Sequence, residues 1–151
     1  MATRFQGEHT CKLDAKGRIM FPARMKGALP EVNTKKIVLR KGFEPCLELY
    51  PYEEWEKISS QFDELNSFDE QARKLGRSFF RGVEEVEMDV NFRFLIPKKF
   101  INDLKFKKEV VMIGVKNRVE IWDSAKLDEF VVVNDEFNDL ATKLMYKGEK
   151  S

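Results

Sequence analysis

Lys12, Lys16, Arg18 and Arg24 crowd around the tetrapeptide Asp14-Ala15-Lys16-Gly17, and His9 and Thr10 precede it closely. Cationic side chains on a strand and its following turn suit polyanion recognition, because a β-ribbon can enter the major groove of a duplex. Arg18 is best placed for base reading or bidentate phosphate contact, since its planar fork fits either. Lys12 and Lys16 are better cast as phosphate anchors, which position without specifying sequence. Lys12 and Thr10 share strand parity and project from one face. Asp14 is expected to orient Arg18 or cap the turn, because a bare carboxylate repels phosphate. The Asp14–Arg18 pair also reads as a plain structural salt bridge holding the turn, and the residues alone leave both readings open. A second chemistry is conceivable: His9 and Cys11 lie two apart and could share a face as an imidazole–thiol pair. No third group or oxyanion-hole motif accompanies them, so catalysis is not expected.

Composition narrows the field. The chain has 151 residues, 27 Lys and Arg against 26 Asp and Glu, one histidine and two cysteines, Cys11 and Cys46. That excludes a disulfide framework, a CxxC metal site and most hydrolytic triads; no metal and no cofactor are expected. No apolar run is long enough to span a membrane, and the opening residues lack an apolar leader, so a cytoplasmic location is expected. The charges are segregated: residues 1–50 carry +5, residues 51–90 carry −6 and residues 91–151 carry +2. A near-neutral chain with one basic third can still attract a polyanion, because local potential does the steering.

The elements that must hold the basic turn come twice. Residues 5–25 align on residues 80–100 at an offset of 75, with identities Phe5/Phe80, Gly7/Gly82, Asp14/Asp89, Arg18/Arg93 and Pro22/Pro97. Beyond a three-residue deletion, Lys35-Lys36 matches Lys107-Lys108, and Leu47–Tyr50 matches Val119–Trp122. This is a tandem duplication. Each copy predicts a strand (9–14 and 84–89), a tight turn starting at Asp, a short strand stopped by proline, and two further strands. Glu109–Val115 and Arg118–Trp122 read as a hairpin turning at Lys116-Asn117. Pro51 is expected to open a helix striped by Trp55, Ile58, Phe62 and Leu65. Ser67 with Glu70 forms a capping-box pattern for a helix over 67–81, and further helices are expected near Ser124 and Asn134. One copy is marginal alone, so the halves are expected to complete a single α+β domain with a pseudo-twofold axis, divided as 1–79 and 80–151.

The doubled signature, Phe5-x-Gly7 with Leu13-Asp14-x-Lys16-Gly17-Arg18-x-x-x-Pro22 and Phe80-x-Gly82 with Met88-Asp89-x-x-x-Arg93-x-x-x-Pro97, closely resembles the MraZ family. The resemblance covers nearly the whole chain. It implies two AbrB-like swapped-hairpin units in a β-barrel-like domain, each followed by helices. It also implies sequence-specific binding of double-stranded DNA at repeats upstream of the protein's own operon, the division and cell-wall cluster, by a ring-shaped homo-oligomer associated with the nucleoid. A ribosomal RNA methyltransferase, RsmH, is a further partner the resemblance makes plausible. An AbrB-like antitoxin, or an assembly protein without DNA binding, are the rival functions.

The copies differ where the chemistry lies. His9, Thr10, Lys12, Lys16 and Gly17 become Glu84, Glu85, Glu87, Asn91 and Phe92. Acidic side chains repel phosphate, so the DNA-binding residues are expected to be His9, Thr10, Lys12, Asp14, Lys16, Gly17, Arg18 and Arg24. Asp89, Arg93 and Pro97 are then the structural signature of a scaffolding second repeat. Phe92 in place of glycine predicts a different turn there, with an exposed ring facing a neighbouring subunit. Arg73, Lys74, Arg77 and Arg81 form a basic face on the 67–81 helix, read as solvated surface pairing with Asp69 and Glu70 or as a salt-bridge surface between subunits.

Overall fold

The computed structural model describes residues 3–145. Strands β1 (Phe5–Lys12) and β2 (Arg18–Met20) are followed by a short 3-10 helix (Ala23–Ala28), then β3 (Lys36–Lys41) and β4 (Leu47–Pro51). Helices α1 (Tyr52–Ser60) and α2 (Glu70–Phe80) flank a 3-10 turn at Gln61–Glu64 and close the first half. The second half repeats the plan with β5 (Glu84–Glu87), β6 (Arg93–Leu95), α3 (Lys98–Leu104), β7 (Glu109–Lys116), β8 (Arg118–Asp123) and α4 (Asn134–Met145).

The strands build an antiparallel six-stranded sheet in the order β1-β7-β8-β4-β3-β5 and a separate two-stranded ribbon of β2 and β6. Under the repeat correspondence that order reads the same from either end. β1 pairs with β7 and β5 with β3, so each half contributes an edge strand to the other. Contrary to the barrel-like expectation, the sheet stays open. β2 and β6 are three residues each and are stopped by Pro22 and Pro97, whose rings remove a backbone donor, so they pair only with one another.

The core draws on matched positions of the two copies. Leu13 and Met88, Ile19 and Phe94, Phe21 and Ile96, and Met25 and Phe100 are all buried in one cluster. Met20 and Leu95, on the outer face of the ribbon, are each 51% exposed. Pro51 does open α1, with Trp55 buried, but the helix stops at Ser60, and Phe62 and Leu65 fall in and beyond a 3-10 turn. Two caps differ from expectation. Asp69, not Ser67, caps α2, accepting a bond from the Gln71 amide at 2.8 Å. No helix starts near Ser124: the Asp123 carboxylate receives the amides of Lys107 and Ala125, each at 3.3 Å, leaving only a 3-10 turn at Leu127–Phe130. The 109–123 hairpin turns at Lys116-Asn117 as predicted, with Lys116 at φ 58°.

Candidate nucleic-acid interface

The two Asp-x-x-x-Arg turns share one local construction. One carboxylate oxygen of Asp14 accepts the amides of Lys16 (2.9 Å) and Arg18 (2.8 Å), and the other accepts Arg18 Nε at 2.9 Å. In the second copy Asp89 receives the amides of Asn91 (2.8 Å) and Arg93 (3.0 Å), and Arg93 Nε at 3.2 Å. The amide of the fourth turn residue returns to the Asp carbonyl in both, Gly17 to Asp14 at 3.0 Å and Phe92 to Asp89 at 2.9 Å. The backbone bond from Arg18 and the bonds from its side chain and Lys16 hold the Asp14 carboxyl below the usual carboxylate range, and Asp89 is lowered in the same way. Each Asp therefore fixes both the turn and its arginine. The salt-bridge and orienting readings of Asp14 describe the same bonds.

Phe92 corrects the expectation of a different second turn. It takes φ 62°, the left-handed region where Gly17 sits at 88°, and keeps the same hydrogen bonds. Its ring is half-buried against the core, with the Lys26 ammonium 4.5 Å and the Lys35 ammonium 5.5 Å from the ring centre. The ring packs within its own chain, which offsets the strain of positive φ.

Gly17 has no such freedom. A β-carbon there would stand 3.0 Å from the Ile96 carbonyl oxygen and 2.9 Å from the Ile101 side chain. Gly17→Ala is expected to destabilise the fold by about 2 kcal/mol, from positive φ and crowding together, measured by urea denaturation. Unchanged stability would show that the turn relaxes freely.

β2 and β6 bring the two signatures together. Arg18 lies opposite Leu95 and Arg93 opposite Met20, so both arginines stand on the exposed face of one ribbon. Lys12 and Thr10 are exposed on one face of β1, as parity requires, and Lys16 is exposed on the turn. His9 points to the opposite, core-side face and is half-buried. Arg24 is exposed and donates to the Glu8 carbonyl at 3.1 Å, tying the 3-10 helix to β1. Gly17 itself is buried beside Leu95, Ile96 and Ile101, so its part is to shape the turn.

Three lysines missed by the sequence reading join this surface. Lys98 at the start of α3, with Lys107 and Lys108 before β7, lines the same groove as Asp14, Lys16 and Gly17. The only sequence signal was the match of Lys107-Lys108 to Lys35-Lys36, which says nothing of proximity to the first turn. On the second-copy strand the acids are partly neutralised, Glu84 by Lys99 at 3.1 Å and Glu85 by Lys36 at 3.0 Å. The basic face of α2 makes no ion pair with Asp69 or Glu70 among the described residues, and Arg73 instead donates to the Ser67 carbonyl at 3.1 Å.

The alternative chemistries gain no support from the geometry. The nearest polar partner of Cys11 Sγ is the His9 backbone carbonyl at 3.9 Å, and burial pushes its thiol up to about 11, far from a thiolate nucleophile. Among the described residues no three His, Cys, Asp or Glu side chains group as metal ligands, and no helix is long and apolar enough to cross a membrane.

A family model described as "MraZ protein, putative antitoxin-like" matches residues 4–78 and again residues 79–144, together nearly the full chain. The chain belongs to the MraZ family. A protein of Cytophaga hutchinsonii named transcriptional regulator MraZ is 42% identical over 147 residues, covering 97% of each chain. One of the same name from Christiangramia forsetii is 40% identical, over 92% of this chain and 91% of its own. Another from Clostridium tetani is 33% identical, over 95% of this chain and 99% of its own. The two successive matches fit the duplication seen at the 75-residue offset.

Proposed function

We propose that this chain is a sequence-specific double-stranded DNA-binding transcriptional regulator, acting on the promoter of the division and cell-wall gene cluster as an oligomeric ring in the cytoplasm, at the nucleoid. The observation that carries the reading is the convergence at the first turn. Arg18, oriented by Asp14, stands on an exposed ribbon beside Lys16, with Lys98, Lys107 and Lys108 bordering the same groove. An arginine held in one orientation can read a base edge or phosphate bidentately, while the surrounding ammoniums set register on the backbone. The names of the relatives support the regulatory role. Lys12, Thr10 and Arg24 extend the surface, His9 lies half-buried on the other face of β1, and the second repeat, with Asn91 and Phe92 at its turn, is the scaffold.

In this reading the halves 1–79 and 80–151 form one pseudo-dimeric domain of the swapped-hairpin kind, supported by the reversible strand order and the exchanged edge strands. The ring is supported by apolar side chains left in solvent on α4, Phe137 at 55% and Leu144 at 66% exposure. Linking protomers lets modest contacts add up on tandem sites.

The test is fluorescence anisotropy on the labelled upstream fragment and a scrambled duplex at two salt concentrations, with the mass of the free protein measured alongside. Preference for the upstream fragment is expected, with affinity falling at a log–log slope of about −0.9 per neutralised phosphate. Equal affinity for both duplexes would overturn the sequence-specific reading, and a monomeric mass the ring.

A further inference from the structure

We propose that the groove beneath the Asp14–Gly17 turn is a binding site for a small planar aromatic anion. The groove encloses about 610 Å³, within the usual range for small-molecule sites. Leu13, Ile101 and Phe106 give it an apolar floor. Lys16, Lys98, Lys107 and Lys108 stand around it, and none forms an ion pair among the described residues. The one carboxylate on the rim, Asp14, is already bonded to Arg18. Positive charge over an apolar floor thus faces the groove without an internal counter-charge.

The second repeat indicates what such a place accepts. There Phe92 stands at the position of Gly17, while Lys26 and Lys35 correspond to Ile101 and Lys107. The Phe92 ring has both of those ammoniums over it, 4.5 and 5.5 Å from its centre, and packs on the core. One half of the molecule fills this space with its own aromatic ring. In the other half glycine supplies none, and the groove is open. The four lysines come from three separate segments to line one groove, which suits a compact anion better than an extended chain with charges in a row. A fused ring would rest on the floor, and its carboxylate, sulfonate or phosphate would meet the lysines. Lys16 belongs to both this groove and the proposed DNA surface, so an occupant competes with duplex phosphate. That last consequence rests on the DNA-binding reading; the binding itself does not.

Isothermal titration of the full chain without DNA, using 2-naphthoate and neutral 2-naphthamide as probes, tests the site. Naphthoate is expected to bind once per chain, and naphthamide about tenfold weaker, the equivalent of one lost ion pair. Paired substitutions Lys107→Glu and Lys108→Glu at exposed positions should abolish naphthoate binding, as should Ile101→Trp, which fills the floor; melting curves check that each variant folds. Equal affinity for the neutral probe would overturn the proposal, as would naphthoate binding untouched in folded Lys107→Glu/Lys108→Glu protein. A fall in oligomer mass on adding naphthoate would overturn it in favour of a neighbouring copy as the natural occupant. In a separate arm, naphthoate should weaken duplex binding by the native chain. If duplex binding is seen but unaffected, the competition fails; if no duplex binding is seen, the DNA reading fails and the site stands on the titration.

Discussion

Arg18→Ala is expected to remove most of the preference for the operon fragment. A bidentate arginine contact discriminates between bases by about 1–3 kcal/mol, so affinity for the upstream fragment should fall roughly 5- to 150-fold per engaged site. Scrambled DNA should lose only a phosphate contact. The substitution is clean because the turn does not depend on the guanidinium: Asp14 keeps the amide bonds from Lys16 and from residue 18 itself. Lys16→Ala should weaken both duplexes alike, since an ammonium on phosphate carries no sequence information. Arg93→Ala is the decisive comparison, because Arg93 shares the exposed ribbon face with Arg18 but is preceded by Glu84, Glu85 and Glu87. A small effect is expected. A loss equal to that of Arg18→Ala would end the assignment of DNA contact to the first repeat.

Glu48→Leu should be the most damaging single substitution to the fold. Glu48 is 4% exposed in the middle of the sheet and lies opposite Glu120 across the β4–β8 pairing. It accepts Arg40 at 2.7 Å and the Tyr50 hydroxyl at 3.0 Å, and Arg118 Nε stands 3.6 Å away. Burial and the Glu48 charge push the Tyr50 hydroxyl far above its ordinary pKa, so it stays a neutral donor. Arg118 also bonds Glu120 at 2.9 Å, which in turn accepts the Trp122 indole at 3.1 Å. Two facing carboxylates are thus bridged by Arg118, with Arg40 and the Tyr50 hydroxyl on Glu48 and the Trp122 indole on Glu120. Removing Glu48 strands Arg40 and the Tyr50 hydroxyl, and breaking such a pair costs about 3 kcal/mol. For a domain of this size that lowers Tm by roughly 6–12 °C in differential scanning calorimetry. Glu48→Gln, which keeps an acceptor for Tyr50, should cost less. Equal, small losses in both would mean that packing alone holds this part of the sheet.

The parts of the site that were legible in the sequence are those fixed within five residues. An Asp that bonds amides two and four positions ahead writes its geometry locally, so the first turn and the Asp14–Arg18 pairing are legible from spacing. Elements with strong alternation or a proline stop, such as β2, β4 and the 109–123 hairpin, were equally readable. What escaped depends on pairing between distant segments. The β2–β6 ribbon places Arg93 beside Arg18, and the packing of α3 carries Lys98 to the first turn, together with the lysines before β7; no local pattern encodes either. The turn at Phe92 is not legible locally, because a bulky residue at positive φ is disfavoured in isolation and only the core beneath its ring reverses that. At α2 the Ser67–Glu70 spacing imitates a capping box, while Asp69, directly before the helix, makes the capping bond to the Gln71 amide.

The exchanged edge strands have a consequence for how the molecule is made. Phe5 finds its partner at Lys116, so the first strand to leave the ribosome waits for one of the last. Synthesis proceeds at roughly 5–20 residues per second; β1 therefore spends seconds without its hydrogen-bonding neighbour. Assembly dominated by such distant pairings belongs to the slow regime of milliseconds to seconds. The nascent amino-terminal half is exposed to pairing with the wrong chain throughout that wait, and a polysome crowded with such halves is where intermolecular mispairing would arise.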